Sequence, residues 1–174
     1  TPKPSSAASD VYKRQDMGAA MSPFNAFMFI QGLETLALRM REHSNNADQV
    51  ADFLSKHPKV ERVSHPSIAD GIYQERARKY LTKGNGGLMG FELKGGIEAG
   101  KQFINSLEMF YHVANIGDSR SLAIHPASTT HSQLNEDELL NAGVTPGYVR
   151  LSIGIEHIDD ILEDLSNALD KVDA

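Results

Sequence analysis

The sequence has no cysteine in its 174 residues. That removes disulfides, thiolate nucleophiles and zinc–thiolate centres from the possible chemistries. It also has no excess of positive charge. Lys and Arg number 17 against 23 Asp and Glu, a net charge of −6. A surface that binds a polyphosphate backbone needs a basic stripe to displace counterions, so no nucleic-acid partner is expected. No apolar run approaches the roughly 20 residues that span a bilayer, and no secretory signal is visible. No membrane partner is expected, and a cytoplasmic location is. Helical HxxxH pairs, a GxSxG elbow and a GxGxxG loop are all missing, which weakens metallohydrolase, serine-hydrolase and dinucleotide-binding readings.

What is present is ordinary soluble-domain material, 40% hydrophobic and 23% charged, in a chain long enough for one real core. The first fifteen residues, TPKPSSAASDVYKRQ, have no helical or strand period and end in a basic cluster. They are expected to be disordered or foreign to the fold. Organised sequence begins near Asp16. Ser22-Pro23 is a helix start, Ser as cap and Pro at the first helical position. The following FNAFMFIQGLETLALRM is apolar on most sides, the mark of a helix meant for a large apolar neighbour. Gly32 is a candidate break, giving either one helix or two that meet near QGL. Beyond Leu36 the pattern becomes amphipathic through Val50, Phe53 and Leu54 and stops before Pro58.

From there the periodicity switches repeatedly between two and about 3.6. Val60–His65 reads as a strand, Tyr73–Leu81 as a polar helix, GNGG at 84–87 as a turn and LMGFEL as a strand. Ile97–Leu107 reads as an amphipathic helix, followed by strand candidates MFYHVAN and SLAIH. A short acidic helix, NEDELLNAG, closes at Gly143, the strand YVRLSIG follows, and a last helix carries Ile158, Ile161, Leu162, Leu165 and Leu169 on one face. Helices followed by β-α-β-α-β-β-α-β-α predict an α+β sandwich with helices over one face of a small sheet.

Two stretches carry candidate chemistry. NIGDSRSLAIHPASTTHSQ, residues 115–133, is crowded with hydroxyls, with two His, an Arg and an Asp around a short apolar centre. His125, His112 and His131 do not have metal-ligand spacing, and a His before Pro is well placed to hydrogen-bond the loop after it. The serines are more economically used to satisfy loop backbone than as nucleophiles. In YVRLSIG, Arg150 interrupts an apolar strand, with Val149 and Leu151 on the opposite face. Such an Arg must reach solvent, hold an anion, or pair with an internal carboxylate, because an unpaired buried charge is costly. Sequence chemistry leaves those readings open.

MSPFNAFMFIQGLETLALRM, NIGDSRSLAIHPASTTHSQL and GVTPGYVRLSIGIEHIDDILEDL, in that order and spacing, resemble the Cys/Met-metabolism family of pyridoxal-phosphate (PLP) enzymes. The form NIGDSRSL followed by HPASTTHSQ favours its O-acetylhomoserine sulfhydrylase branch over the cystathionine γ-synthase and γ-lyase branches. The resemblance implies the C-terminal α+β domain of a fold-type-I PLP enzyme, a mostly antiparallel small sheet covered by helices and preceded by a long connector helix. Residues 16–57 would be the connector from the PLP domain and 58–174 the substrate-binding domain. It implies that Arg150 binds the α-carboxylate of an amino-acid substrate, with Ser121 helping to hold it, in an enzyme that works as a dimer or tetramer. The same resemblance puts the cofactor, pyridoxal 5′-phosphate, and its Schiff-base Lys in sequence upstream of this stretch. No Lys of this chain stands in a matching motif, so no catalytic residue is assigned and the chain alone is expected to be inactive. The rival reading is a non-catalytic α+β module that binds an amino acid.

Overall fold

The computed structural model describes Gly18 and residues 20–173; the expected leader, 1–15, lies outside the described residues. The chain divides into two compact units, 1–37 and 38–174. Helix α1 (Pro23–Glu34) belongs to the first. Ser22 caps it as expected, its Oγ accepting from the Asn25 amide at 3.2 Å, with Pro23 in the first turn. No residue of α1 is buried. The break to α2 (Leu36–Ser55) falls at Thr35 rather than at Gly32. A lone glycine costs a helix only about 1 kcal/mol, so Gly32 stays helical and the chain turns one residue after α1 ends.

In the second unit α2 buries His43, Ala47, Val50, Ala51 and Leu54, a stripe at steps of three and four. After it come β1 (Val60–Ser64), α3 (Gly71–Tyr80), β2 (Leu88–Leu93), α4 (Gly96–Ser106), β3 (Tyr111–His112), β4 (Leu122–Ile124), α5 (Glu136–Asn141), β5 (Tyr148–Ser152) and α6 (Ile158–Asp170). This is the order the periodicity predicts. The strands form one five-stranded sheet in the order β1-β2-β5-β4-β3, antiparallel throughout except for the parallel pair β3–β4. Asn135 and Glu138 close a capping box at the start of α5, each side chain meeting the other's amide. The GNGG turn lies on α2, the Gly86 amide donating to Ser44 Oγ at 3.0 Å.

The main core lies on one face of the sheet. Met89 and Phe91 from β2, Ala123 from β4 and Val149 and Leu151 from β5 pack with Phe103 and Ile104 of α4 and Ile161, Leu165 and Leu169 of α6. The opposite face carries the alternate positions. Gly90, Arg150 and Ile124 stand side by side in register across β2, β5 and β4, with Ser152 beside Leu88 and Leu122. Alternation along β5 is therefore the device that puts a guanidinium on the face away from the main core.

β3 is shorter than the sequence predicts. Just before it, the buried Asp164 carboxylate on α6 accepts from the amides of Glu108, Met109 and Phe110 at 2.9, 3.0 and 3.3 Å. These amides bond to a helix side chain instead of a strand neighbour. The Val113 amide still donates to the Ala123 carbonyl of β4 at 3.2 Å, and beyond it the chain leaves the sheet to form the wall described next.

Candidate functional site

Residues 113–121 bridge the parallel strands β3 and β4 as a loop over the end of β5. Gly117, at φ 77°, supplies a turn conformation that L side chains rarely adopt. Asp118 fixes the following residues by accepting the Arg120 amide at 3.0 Å, an Asx turn. Three further ties hold the loop to β5 and the chain beyond it. The Gly117 amide donates to Ser152 Oγ at 3.0 Å, the Ile155 amide to the Ser119 carbonyl at 2.9 Å, and the Ser121 amide to Glu156 Oε1 at 2.6 Å. Gly154 is needed for this approach, because a Cβ there would run into the Glu156 carboxylate and the Ser119 carbonyl.

Arg150 closes the other side. Its Nη2 donates to the carbonyls of Ala114 and Asn115 at 2.7 and 3.3 Å, so the wall aims the cation and the cation steadies the wall. The internal salt bridge left open by the sequence does not form: no carboxylate of the described residues pairs with Arg150. Its Nη1 and Nε have no protein partner among those residues either. Burial pushes the neighbouring Tyr148 phenol above its ordinary range, so at neutral pH it is no competing anion. Ala114, Asn115, Ile116, Gly117, Asp118 and Arg150 line a cleft of about 540 Å³. An unpaired guanidinium in a concave site lined by backbone can hold a small anion through charge-assisted hydrogen bonds.

Ser121 lies on the same wall but not in the cleft. It is fully buried. Its Oγ donates to Glu156 Oε2 at 3.0 Å and accepts from the Gly154 amide at 2.9 Å. The donors that the resemblance assigns to a substrate's acid end thus hold a carboxylate already, that of Glu156. The structure brings Asn115 to Asp118 beside Arg150, four residues of the 115–133 stretch singled out in the sequence, none of which is individually assigned a contact there. The available signal was the Asn-Ile-Gly-Asp turn ahead of SRSLAIH, since a tight polar turn next to a cation makes a concave wall.

The hydroxyl-rich run after β4 is structural. His125 is fully buried, its Nε2–H donating to the Pro146 carbonyl at 2.7 Å and its Nδ1 accepting from Ser128 Oγ at 2.8 Å. Thr129 Oγ1 donates to the His125 carbonyl at 2.8 Å. The His before Pro laces its own loop, as expected.

A small mostly antiparallel sheet, with helices over one face and a guanidinium-bearing cleft on the other, is an α+β architecture. The model of the Cys/Met metabolism PLP-dependent enzyme family matches residues 3–170, and the chain belongs to that family. It is 56% identical over 159 residues to O-acetyl-L-homoserine sulfhydrylase of Leptospira meyeri, covering 91% of this chain and 36% of that protein. It is 44% identical over 156 residues to homocysteine synthase of Schizosaccharomyces pombe, covering 90% and 36%. A crystal structure described as an O-acetylhomoserine (thiol)-lyase from Campylobacter jejuni, containing N′-pyridoxyl-lysine-5′-monophosphate, superposes with a TM-score of 0.80. It is 46% identical and covers 90% of this chain and 37% of that one. The chain therefore spans about a third of the length of these relatives, and its α+β fold is that of part of a PLP enzyme.

The residues of the cleft do not by themselves fit the family's cofactor. No lysine lines it. Lys56 and Lys101 pair with Asp52 and Glu98, while Lys59 and Lys94 donate to backbone carbonyls. No step involving PLP is assigned to these side chains.

Proposed function

We propose that this chain is the C-terminal part of an O-acetyl-L-homoserine sulfhydrylase, a PLP-dependent transferase that exchanges the acetoxy group of O-acetyl-L-homoserine for sulfide and releases homocysteine and acetate. Its share of the work is recognition. Arg150 holds the α-carboxylate of the amino acid, and the wall 114–118 shapes the space beside it. Clamping that carboxylate fixes the rotation of the substrate about its Cα, which sets the geometry for chemistry at a neighbouring reactive group. Ser121 enters this reading by anchoring the wall through Glu156. The complete protein works as a homo-oligomer, and turnover requires the parts of the relatives that this chain does not span.

The observation that carries the proposal is Arg150 itself, a cation in a cleft, oriented by two carbonyls and unpaired by any carboxylate of the described residues. The test is titration of the chain with L-glutamine, a zwitterion with a neutral side chain, followed by calorimetry and by the amide resonances of residues 114–118. Arg150→Gln should weaken binding by about 2 kcal/mol, roughly thirtyfold, as expected for one partner of a charge-assisted pair. Arg150→Lys should not restore it, since an ammonium lacks the planar fork. Equal affinity in the unaltered chain and Arg150→Gln, or no binding by the unaltered chain, rejects the reading.

A further inference from the structure

The wall that faces Arg150 is fastened to one short bend, residues 154–156, and each residue of that bend makes a tie. The Gly154 amide donates to Ser121 Oγ at 2.9 Å and the Ile155 amide to the Ser119 carbonyl at 2.9 Å. The Glu156 carboxylate accepts from the Ser121 amide and hydroxyl at 2.6 and 3.0 Å. The carbonyls of the same bend are held by α2. Asn46 Nδ2 donates to the Gly154 carbonyl at 3.2 Å and to the Glu156 carbonyl at 3.0 Å, so one side-chain amide places its two N–H bonds on the two ends of the bend. One turn earlier on the helix, His43 Nδ1–H donates to the Ile153 carbonyl at 2.6 Å. Asn46 is 1% exposed. Asparagine is a poor helix former, and what it does at this buried position is grip the bend.

We infer that Asn46 is a positioning residue for the Arg150 cleft: by fixing both carbonyls of the bend 154–156, it sets where the bend holds the 113–121 wall against the guanidinium. The inference rests on the reading of Arg150 as the α-carboxylate site. Asn46 does not line the cleft, so it acts through Gly154 and Glu156. Without the side-chain amide, the two peptide groups it bridges are free to rotate, and the ties to Ser119 and Ser121 rotate with them. The wall then has to be ordered when a ligand binds, and that ordering is subtracted from affinity. A site is only as well placed as the residues that support it.

The test combines L-glutamine affinity with native-state hydrogen exchange in Asn46→Ala. The dissociation constant should rise about fivefold. Exchange at the Ser121 and Ile155 amides should quicken about tenfold relative to the amides of the β2–β5 ladder, which report global opening. Leu169→Ala, a deletion in the main core on the other face of the sheet, lowers global stability and should leave the dissociation constant within about twofold. A merely structural Asn46 would give the two variants the same pattern. Asn46→Ala and Glu156→Gln together should weaken binding by less than the product of their separate effects, because both act through one bend. An unaltered dissociation constant in Asn46→Ala, an equal rise in Leu169→Ala, or fully multiplicative effects in the double variant overturns the inference, and Arg150's role stands if Arg150→Gln still loses glutamine. Should Asn46→Ala not fold, Glu156→Gln decides in its place, since it weakens the same bend from the wall side and leaves α2 intact; an unaltered dissociation constant there overturns the inference as well. Failure of the unaltered chain to bind glutamine overturns both this inference and the reading of Arg150.

Discussion

His125 and His65 show what a buried imidazole means for this chain. Both are buried, and desolvation holds each pKa below the ordinary histidine value, although the carbonyls of Pro146 and Gly86 work the other way. The fold therefore holds the neutral rings. Above a free-histidine pKa of about 6.5 neither ring affects the pH dependence. As pH falls below that value the unfolded chain takes up protons that the native state refuses. Stability should decline by at most about 1.4 kcal/mol per pH unit for each ring. Urea midpoints at pH 7.5, 6.0 and 5.0 would measure the decline, and His125→Gln should flatten it; an unchanged slope would assign the dependence elsewhere. At this scale the sequence was half legible. Arg150 stood out because a cation in an apolar strand has few options, and the structure selected among them. For Ser121 only the family resemblance implies a ligand contact, whereas its residue chemistry points to loop backbone, and its Oγ does accept from the Gly154 amide. That its hydroxyl meets Glu156, 35 positions away, is set by the path of the chain around Gly154, which no local pattern encodes.

Among the elements, α6 is the best described by its sequence. Ile161, Leu165 and Leu169 are fully buried, as the spacing requires. Asp164 sits among them and is the exception, a buried acid whose partners are three amides ahead of β3. Nothing on the helix announces those partners, because they come from a turn more than 50 residues earlier. Asp164→Ala leaves the amides unpaired and should cost about 3 kcal/mol in urea unfolding. Lys59 caps the C-terminal end of α6, donating to the carbonyls of Leu169, Asp170 and Val172 at 2.9, 3.3 and 2.7 Å. Because that ammonium is partly solvated, Lys59→Met should cost only about 1 kcal/mol. A larger loss for Lys59→Met than for Asp164→Ala would invert this ordering. The brevity of β3 has the same origin as the Asp164 contacts, so a strand predicted from MFYHVAN was too long for a physical reason.

At the scale of the whole molecule, the apolar surface of α1 stands out. Phe24 is 69% exposed and Leu33 64%, with Phe27, Met28, Phe29 and Ile30 also open to solvent. The sequence pointed to this surface, since an all-round apolar helix is made for a large apolar neighbour, and among the described residues none of α1 is buried. Exposed apolar area of this kind drives association. Sedimentation velocity at tens of micromolar should show oligomers, and the double change Phe27→Glu with Ile30→Glu should shift the chain toward monomer; a sharp monomer boundary for the unaltered chain would refute the expectation. The sheet order has a different consequence. β5 is its middle strand, hydrogen-bonded to β2 on one side and β4 on the other, whereas the wall hangs from β3 at the rim. The backbone beneath the guanidinium cannot shift without unzipping two ladders, but the loop opposite it is fastened by a handful of individual bonds. Adjustment to different ligands, in one molecule's breathing or across a lineage's divergence, therefore falls to the rim while the anchor stays put.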